Sequence, residues 1–266
     1  MRLLLPIFLS LAFLPTTAQK ITERDFKKYF DAQGISGSFL LYDLKADRYV
    51  GYNAARSREG FIPASTFKIP NTIIGLETGV LPDTNYVFQW DGKPKWIKAW
   101  EADLTLSQAM RVSCVWCYQE VARQVGAKRY QQWLAKLKYG AMDVGVANVD
   151  SFWLVGHSRI SPLQEVDFLK RLYLDQLPVS QRSMSLTKNL ILLHQTPEYT
   201  LRGKTGLSNS DAINRRYNGW FVGWLERGGN AYIFALNADY EGEGSSRFIP
   251  VRRAITEAIL REMGLM

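Results

Sequence analysis

Apolar positions recur at strand spacing near the start of this chain, at helical spacing through its middle, and at strand spacing again toward its end. Ser38 to Asp43 and Arg48 to Asn53 alternate like the two strands of a hairpin joined through Lys45-Ala46-Asp47. Before them, Thr22 to Phe30 reads as a short amphipathic helix with Thr22 as its cap. Phe67, Ile69, Ile73, Ile74 and Leu76 then fall at helical spacing, with Gly79 as the stop. Segments 105–125, 127–137, 163–176 and 181–194 carry the same periodicity, and Ser161-Pro162-Leu163-Gln164 has the capping serine, first-position proline and glutamine of a helix start. Tyr199 to Gly206, Tyr217 to Leu225 and Ala231 to Ala238 return to strand character, with a turn at Gly228-Gly229-Asn230, and 250–263 closes as a helix. Strands at both ends with helices between imply an α/β chain of α+β type. An antiparallel sheet is flanked by helices and interrupted by a mostly helical lobe. The sheet lobe is expected at about 19–80 and 196–266, and the helical lobe at about 81–195.

The first eighteen residues do not belong to that pattern. Arg2, an apolar run from Leu3 to Leu14 and the exit Pro15-Thr16-Thr17-Ala18 have the form of a Sec signal peptide, too short to span a bilayer. Cleavage is expected after Ala18, leaving 19–266 as one domain. No later stretch is apolar enough for a membrane anchor, so the protein is expected to be exported, to the periplasm in a Gram-negative host. The formal charge of +8 becomes +7 when Arg2 is removed. Lys and Arg are scattered among Asp and Glu, which with export argues against a nucleic-acid partner and for a general attraction to anionic small molecules or an anionic cell envelope.

Cysteine and histidine are scarce. Cys114 and Cys117 form one Cys-x-x-Cys pair, which fits a redox pair or half a zinc site. No second cysteine pair exists and His157 and His194 stand in unrelated contexts, so the pair is expected to serve as small apolar core residues on one helix face. The same scarcity disfavours a Ser-His-Asp triad.

Other chemistry takes its place. Ser65, just after Pro63, lies at or near a helix N-terminus, where backbone N–H groups favour developing negative charge. Lys68 is one turn on, on the same face, and an unprotonated lysine can act as the base a serine nucleophile needs. Ser113-Cys114-Val115 offers a second hydroxyl, which fits a plain helix cap as well as a proton relay. Lys204-Thr205-Gly206 puts a cation, a hydroxyl and a glycine on a late strand, where a substrate can approach the backbone. Arg252, in the last helix, is either a second cation for a substrate carboxylate or a solvated helix charge.

Ser65-x-x-Lys68, Ser113-x-Val115, Trp153 and Lys204-Thr205-Gly206, in this order, make the chain resemble the class D serine β-lactamases, the oxacillinases, over essentially its whole mature length. The flanks agree: Pro63 to Asn71, Phe88-Gln89-Trp90-Asp91-Gly92, Phe152-Trp153-Leu154 and Gly219 to Trp224. The resemblance implies a penicillin-binding-protein and serine β-lactamase fold. It implies that Lys68, in an apolar pocket near Phe67, Val115, Trp153 and Leu154, is N-carboxylated by carbon dioxide and serves as base for Ser65 and for the deacylating water. It implies an oxyanion hole from the N–H groups of Ser65 and Leu207, Ser113 as relay to the lactam nitrogen, and Lys204 as its electrostatic aid. Thr205, Gly206 and Arg252 would then hold the substrate. No metal and no cofactor beyond carbon dioxide is implied, and the partner is a small β-lactam; monomer and homodimer both remain open. Where the family has Tyr-Gly-Asn this chain has Tyr139-Gly140-Ala141, and Tyr139-Gly140 fits a helix stop as well as a catalytic part. The same motifs occur in sensor domains and D,D-peptidases that acylate without rapid turnover, the alternative to a hydrolase.

Overall fold

A computed structural model describes residues 19–211 and 216–266, so the expected leader, 1–18, lies outside the described residues. The chain opens with β1 (Ile21–Glu23) and a short helix α1 (Lys27–Asp31). The helix expected from Thr22 therefore starts later. Thr22 pairs in parallel with Val50, and Arg24 N–H continues the edge to Gly51 O at 2.7 Å. Pairing with a free strand edge outcompetes a local helical period. β2 (Ser36–Asp43) and β3 (Arg48–Tyr52) make the expected hairpin, with Asp43 opposite Arg48.

After 3₁₀ turns at Arg56–Arg58 and Ala64–Phe67, α2 (Lys68–Glu77) runs to Thr78, and Gly79, at φ +72°, ends it. Two short strands, β4 (Val87–Phe88) and β5 (Leu104–Thr105), pair beside α3 (Leu106–Arg111). The helices α4 (Val115–Val125), α5 (Ala127–Leu137), α6 (Pro162–Tyr173) and α7 (Gln181–Leu190) follow. The start of α6 is the expected one: Ser161 Oγ accepts from Gln164 N–H at 3.1 Å, and the Gln164 side chain accepts from Ser161 N–H at 2.9 Å. Two helical expectations change. The run 105–125 is broken between α3 and α4, where Ser113 takes φ +55°. The end of 181–194 becomes β6 (Leu192–Gln195), which covers the edge of the next strand.

The late strands β7 (Tyr199–Asp211), β8 (Arg216–Arg227) and β9 (Asn230–Glu241) are long and antiparallel, and α8 (Phe248–Glu262) closes the chain. The sheet has seven strands in the order β1-β3-β2-β9-β8-β7-β6, antiparallel but for β1 beside β3. Strand side chains alternate faces, and both faces are covered. Leu40, Tyr42, Trp220, Val222, Trp224 and Ile233 pack toward α2 and the middle helices. Their neighbours Phe39, Leu41, Phe221, Leu225, Phe234 and Leu236 pack with Phe26, Phe30, Ile255 and Ile259 of the terminal segments. The mixed architecture, a main sheet flanked by helices, is the one expected. No helix of the described residues is long and apolar enough to cross a membrane.

Candidate active site

Ser65 sits on the 3₁₀ turn between the sheet and α2, and that turn is anchored from several sides. Trp220 Nε1 on β8 donates to Ile62 O at 2.9 Å, and Ala64 N–H donates to Trp153 O at 2.9 Å. Ala64 is held at φ +50°, a region a side chain disfavours, so these contacts fix a strained approach to Ser65. Gly206 of β7 presses against the same turn: a Cβ there would lie 3.1 Å from Pro63 O and 3.2 Å from the Thr66 methyl. Glycine keeps that approach close, since any side chain would press the turn back by a few tenths of an ångström.

Lys68 follows as the first residue of α2 and has no exposed surface. Its Nζ is 3.0 Å from Ser65 Oγ and 5.2 Å from the centre of the Tyr118 ring. Burial drives its pKa well below the ordinary lysine value, and Lys204 adds a smaller push in the same direction. A neutral amine beside the serine hydroxyl follows from that environment. Phe67 turns the other way and stacks on Trp153 at 5.4 Å and 20°, with Phe152 edge-on at 4.8 Å. Trp153 is fully buried, yet its Nε1 has no hydrogen-bond partner. A buried donor without an acceptor is rare and costly.

The opposite side comes from the break between α3 and α4 and from β7. Ser113 is not the helix cap: Cys114 is, its Sγ accepting from Cys117 N–H at 3.3 Å. Ser113 Oγ is left to accept from Lys204 Nζ at 2.9 Å, and the same amine donates to Thr205 O at 2.9 Å. Burial, and then the nearby Arg252, bring the Lys204 pKa down to about 7. Val115, half-buried, opens α4 beside them. Trp100 Nε1 donates to Val112 O at 3.0 Å and so ties the loop before α3 to the Ser113 bend.

Arg252 is buried rather than solvated. Its guanidinium donates to Gly206 O and Ile249 O, beneath the Lys-Thr-Gly strand, with burial lowering its pKa to about 10. Gly219 makes room for it, since a Cβ there would lie 2.4 Å from Arg252 Cδ. Leu207 follows Gly206 on β7 and pairs with Gly219. Among the described residues, Lys68, Lys204 and Arg252 form no ion pair, so the site holds basic groups without a carboxylate partner, and the charge carried by Arg252 and the protonated fraction of Lys204 suits an anionic ligand. A cleft of about 470 Å³ borders Lys204 and Thr205 and is lined also by Gln108, Arg111 and Leu192. Ser65, Lys68, Ser113, Lys204, Thr205 and Gly206 are thus brought together from four separate elements.

Two features differ from the expectation. Cys114 and Cys117 are joined in a disulfide across the first turn of α4, with Cα atoms 5.6 Å apart, rather than being free apolar side chains. A cap residue and the third residue of the helix come within bonding reach, which a core-packing reading of i and i+3 positions overlooks. Tyr139 also does more than stop a helix. Lys138, in the left-handed region, ends α5, while Tyr139 Oη reaches Glu165 Oε1 at 2.7 Å. Glu165 itself was not anticipated. It is fully buried, 2.7 Å from Oγ1 of Thr66, the residue next to Ser65. Its position was visible as a signal: Pro162, Glu165, Leu169 and Leu172 share the buried face of α6, and a carboxylate there breaks the apolar stripe. Ala141 only pairs its backbone with Arg159, at 2.8 Å in both directions.

Residues 37–261 match the family model of the penicillin-binding protein transpeptidase domain. The fold is shared with a class D β-lactamase, YbXI, from Nostoc, at a TM-score of 0.86 and 37% identity, covering 91% of this chain and 99% of that one. A class D β-lactamase of Fusobacterium nucleatum, FUS-1, aligns with a TM-score of 0.85 and 36% identity over 91% and 98% of the two chains. β-Lactamase OXA-5 of Pseudomonas aeruginosa is 40% identical over 97% of both chains, and OXA-48 of Klebsiella pneumoniae is 37% identical over 95% and 93%. Fold and family model define a transpeptidase-type domain of the penicillin-binding proteins. Within that class the chain belongs to the class D β-lactamases, enzymes that hydrolyse β-lactams.

Proposed function

We propose that this enzyme hydrolyses penicillins, oxacillin-type compounds included, through an acyl-enzyme on Ser65, with an N-carboxylated Lys68 as the general base. The observation that carries this reading is the fully buried Lys68 amine, 3.0 Å from Ser65 Oγ and without a carboxylate partner. A neutral amine adds to carbon dioxide, releasing one proton and leaving a carbamate that supplies a carboxylate base where a lysine stands. The surroundings fit that group on one point: Trp153 Nε1 is a buried donor lacking an acceptor.

The chain's own groups then have separable tasks. Ser65 Oγ loses its proton toward the Lys68 position and attacks the lactam carbonyl. The backbone N–H groups of Ser65 and Leu207 face the developing oxyanion. Ser113, bonded to Lys204, passes a proton to the departing lactam nitrogen, and the charge of Lys204 favours that transfer. Thr205 and Arg252 bind the substrate carboxylate beside Gly206. A water that gives its proton to the same base attacks the ester carbonyl, and Ser65 Oγ leaves and takes that proton back. Export through the leader at 1–18, to the periplasm in a Gram-negative host, would place the enzyme where it confers β-lactam resistance.

Turnover tests the proposal. A chromogenic cephalosporin offered in large excess is expected to be consumed completely; consumption of one equivalent followed by a stall would instead mark a penicillin sensor or a D,D-peptidase. Ser65→Ala is expected to show no penicillin adduct by intact-mass spectrometry, and an adduct on that variant would end the nucleophile assignment.

A further inference from the structure

Behind the nucleophile turn, four oxygens lie in a chain. Thr66 Oγ1 is 2.7 Å from Pro63 O and 2.7 Å from Glu165 Oε1, and Tyr139 Oη is 2.7 Å from the same Oε1. The remaining pair, Thr66 with Tyr139, is longer at 3.4 Å. Three short contacts need three protons. The Pro63 carbonyl brings none, and the hydroxyls of Thr66 and Tyr139 bring one each. Only Glu165 can bring the third, as a carboxylic acid. Thr66 then donates to Pro63 O, Glu165 donates to Thr66, and Tyr139 donates to Glu165. The assignment also accounts for Glu165 Oε2, buried without a partner, because an orphaned neutral carbonyl costs far less than an orphaned charge.

We propose that Glu165, held as a neutral acid, is a positioning residue of this enzyme: through Thr66 it locks the turn that carries Ser65 against the Pro63 carbonyl and the Gly206 strand. At this turn Pro63 O and the Thr66 methyl both lie within 3.2 Å of the space a Cβ on Gly206 would take. Release of Thr66 would therefore loosen the nucleophile and the oxyanion strand together. The proposal rests on the reading of Ser65 as nucleophile.

The surroundings keep the proton on. Burial raises the Glu165 pKa to about 7, outweighing the hydrogen bonds that Thr66 and Tyr139 would give to the ionised form. Tyr139 is pushed well above the ordinary tyrosine value by its own burial, so it stays a donor. Charged groups on α6 and on the segments packed against it are turned elsewhere: Lys170 to Tyr42, Arg171 to Asp167, Arg56 to Asp239, Lys188 to Asp175 and Asp43 to Asn230. Ionisation on the alkaline side removes the donor to Thr66 and leaves an unpaired charge under the nucleophile.

The test uses the mature enzyme and three variants. In wild type, infrared difference spectra with ¹³C-carboxyl-labelled glutamate should contain a carboxylic-acid C=O band that Glu165→Gln removes and that bleaches as pH rises through about 7. Glu165→Leu and Thr66→Val should lower kcat/KM about tenfold, the effect of one buried hydrogen bond. Glu165→Gln, whose amide N–H groups donate to Thr66 and Tyr139 without titrating while the tyrosine proton turns toward Thr66 Oγ1, 3.4 Å away, should restore activity and lose the part of the alkaline decline that Glu165 causes. An ionised Glu165 at about pH 6 in wild type would overturn the proposal. An alkaline limb identical in wild type and Glu165→Gln would overturn it as well. The infrared band reports on Glu165 whatever the nucleophile is, and it is read in wild type even if a variant fails to fold. Penicillin labelling of Ser65→Ala separately decides the reading on which the proposal rests.

Discussion

Replacing Trp153 by Phe separates the carbamate mechanism from that of a bare lysine. The indole N–H has no partner in the unmodified protein, so its loss breaks no existing hydrogen bond. The six-membered ring can keep its place against Phe67, 5.4 Å away, and Phe152, 5.1 Å away, whereas Trp153→Ala would add a cavity costing roughly 3–5 kcal/mol. If the carbamate is the missing acceptor, the variant loses a buried hydrogen bond to a charged group, about 1.5–3 kcal/mol. At 1.4 kcal/mol per factor of ten, carbon dioxide should bind Lys68 about tenfold to about a hundredfold more weakly. The assay is hydrolysis in degassed buffer titrated with bicarbonate, with the carbamate followed by ¹³C NMR in labelled bicarbonate. Wild type should lose activity on degassing or acidification and regain it with bicarbonate, and Trp153→Phe should need far more bicarbonate for the same recovery. An unchanged bicarbonate midpoint would refute the role of Trp153. Full wild-type activity after degassing, with no carbamate signal, would refute the carbamate itself and leave Lys68 to act as an amine.

Four further outcomes are expected. Closing so short a loop, the Cys114–Cys117 disulfide should contribute about 2 kcal/mol, so reduction or a Cys114→Ala/Cys117→Val double variant should lower the denaturation midpoint while hydrolysis stays within about an order of magnitude; unchanged stability on reduction would count against the bond. Gly219→Ala drives a Cβ to 2.4 Å from Arg252 Cδ and 2.5 Å from the Phe248 ring, so it should cost about 1–3 kcal/mol of stability and raise KM more than it lowers kcat; wild-type KM would remove Arg252 from substrate binding. Lys204, brought from 10.5 to about 7 by burial, should weaken the fold as pH falls from 10.5 to about 7, by on the order of 5 kcal/mol, with a plateau below. Lys204→Met should flatten that slope in denaturant titrations. Glu165 has the opposite sign: raised from 4.5 to about 7, it should weaken the fold as pH climbs across that window, by on the order of 3 kcal/mol.

Much of the architecture was legible because it is local. The hairpin of β2 and β3, the start of α6 at Ser161, the end of α2 at Gly79 and the three long late strands each follow from side-chain period, caps and turn residues within a few positions. The motifs of the candidate site were legible for a related reason. Ser65 and Lys68 are one helical turn apart, so their proximity is set by local geometry, and Lys204-Thr205-Gly206 is a single strand segment.

Tertiary contacts decided the rest. β1 and β6 are strands only because β3 and β7 present open edges to Thr22 and Leu192, and no local period encodes that. Ser113 left its helix because the chain bends there at φ +55°, which delivers its hydroxyl to a lysine ninety-one positions away. The depressed pKa values of Lys68 and Lys204 and the raised one of Glu165 come from the exclusion of water by segments that meet only in the folded chain. By itself the sequence determined which groups could do this chemistry and where local geometry would set them. Only the tertiary structure decided which of them lose water and which meet across the sheet, because desolvation and long-range contact are properties of the packed whole.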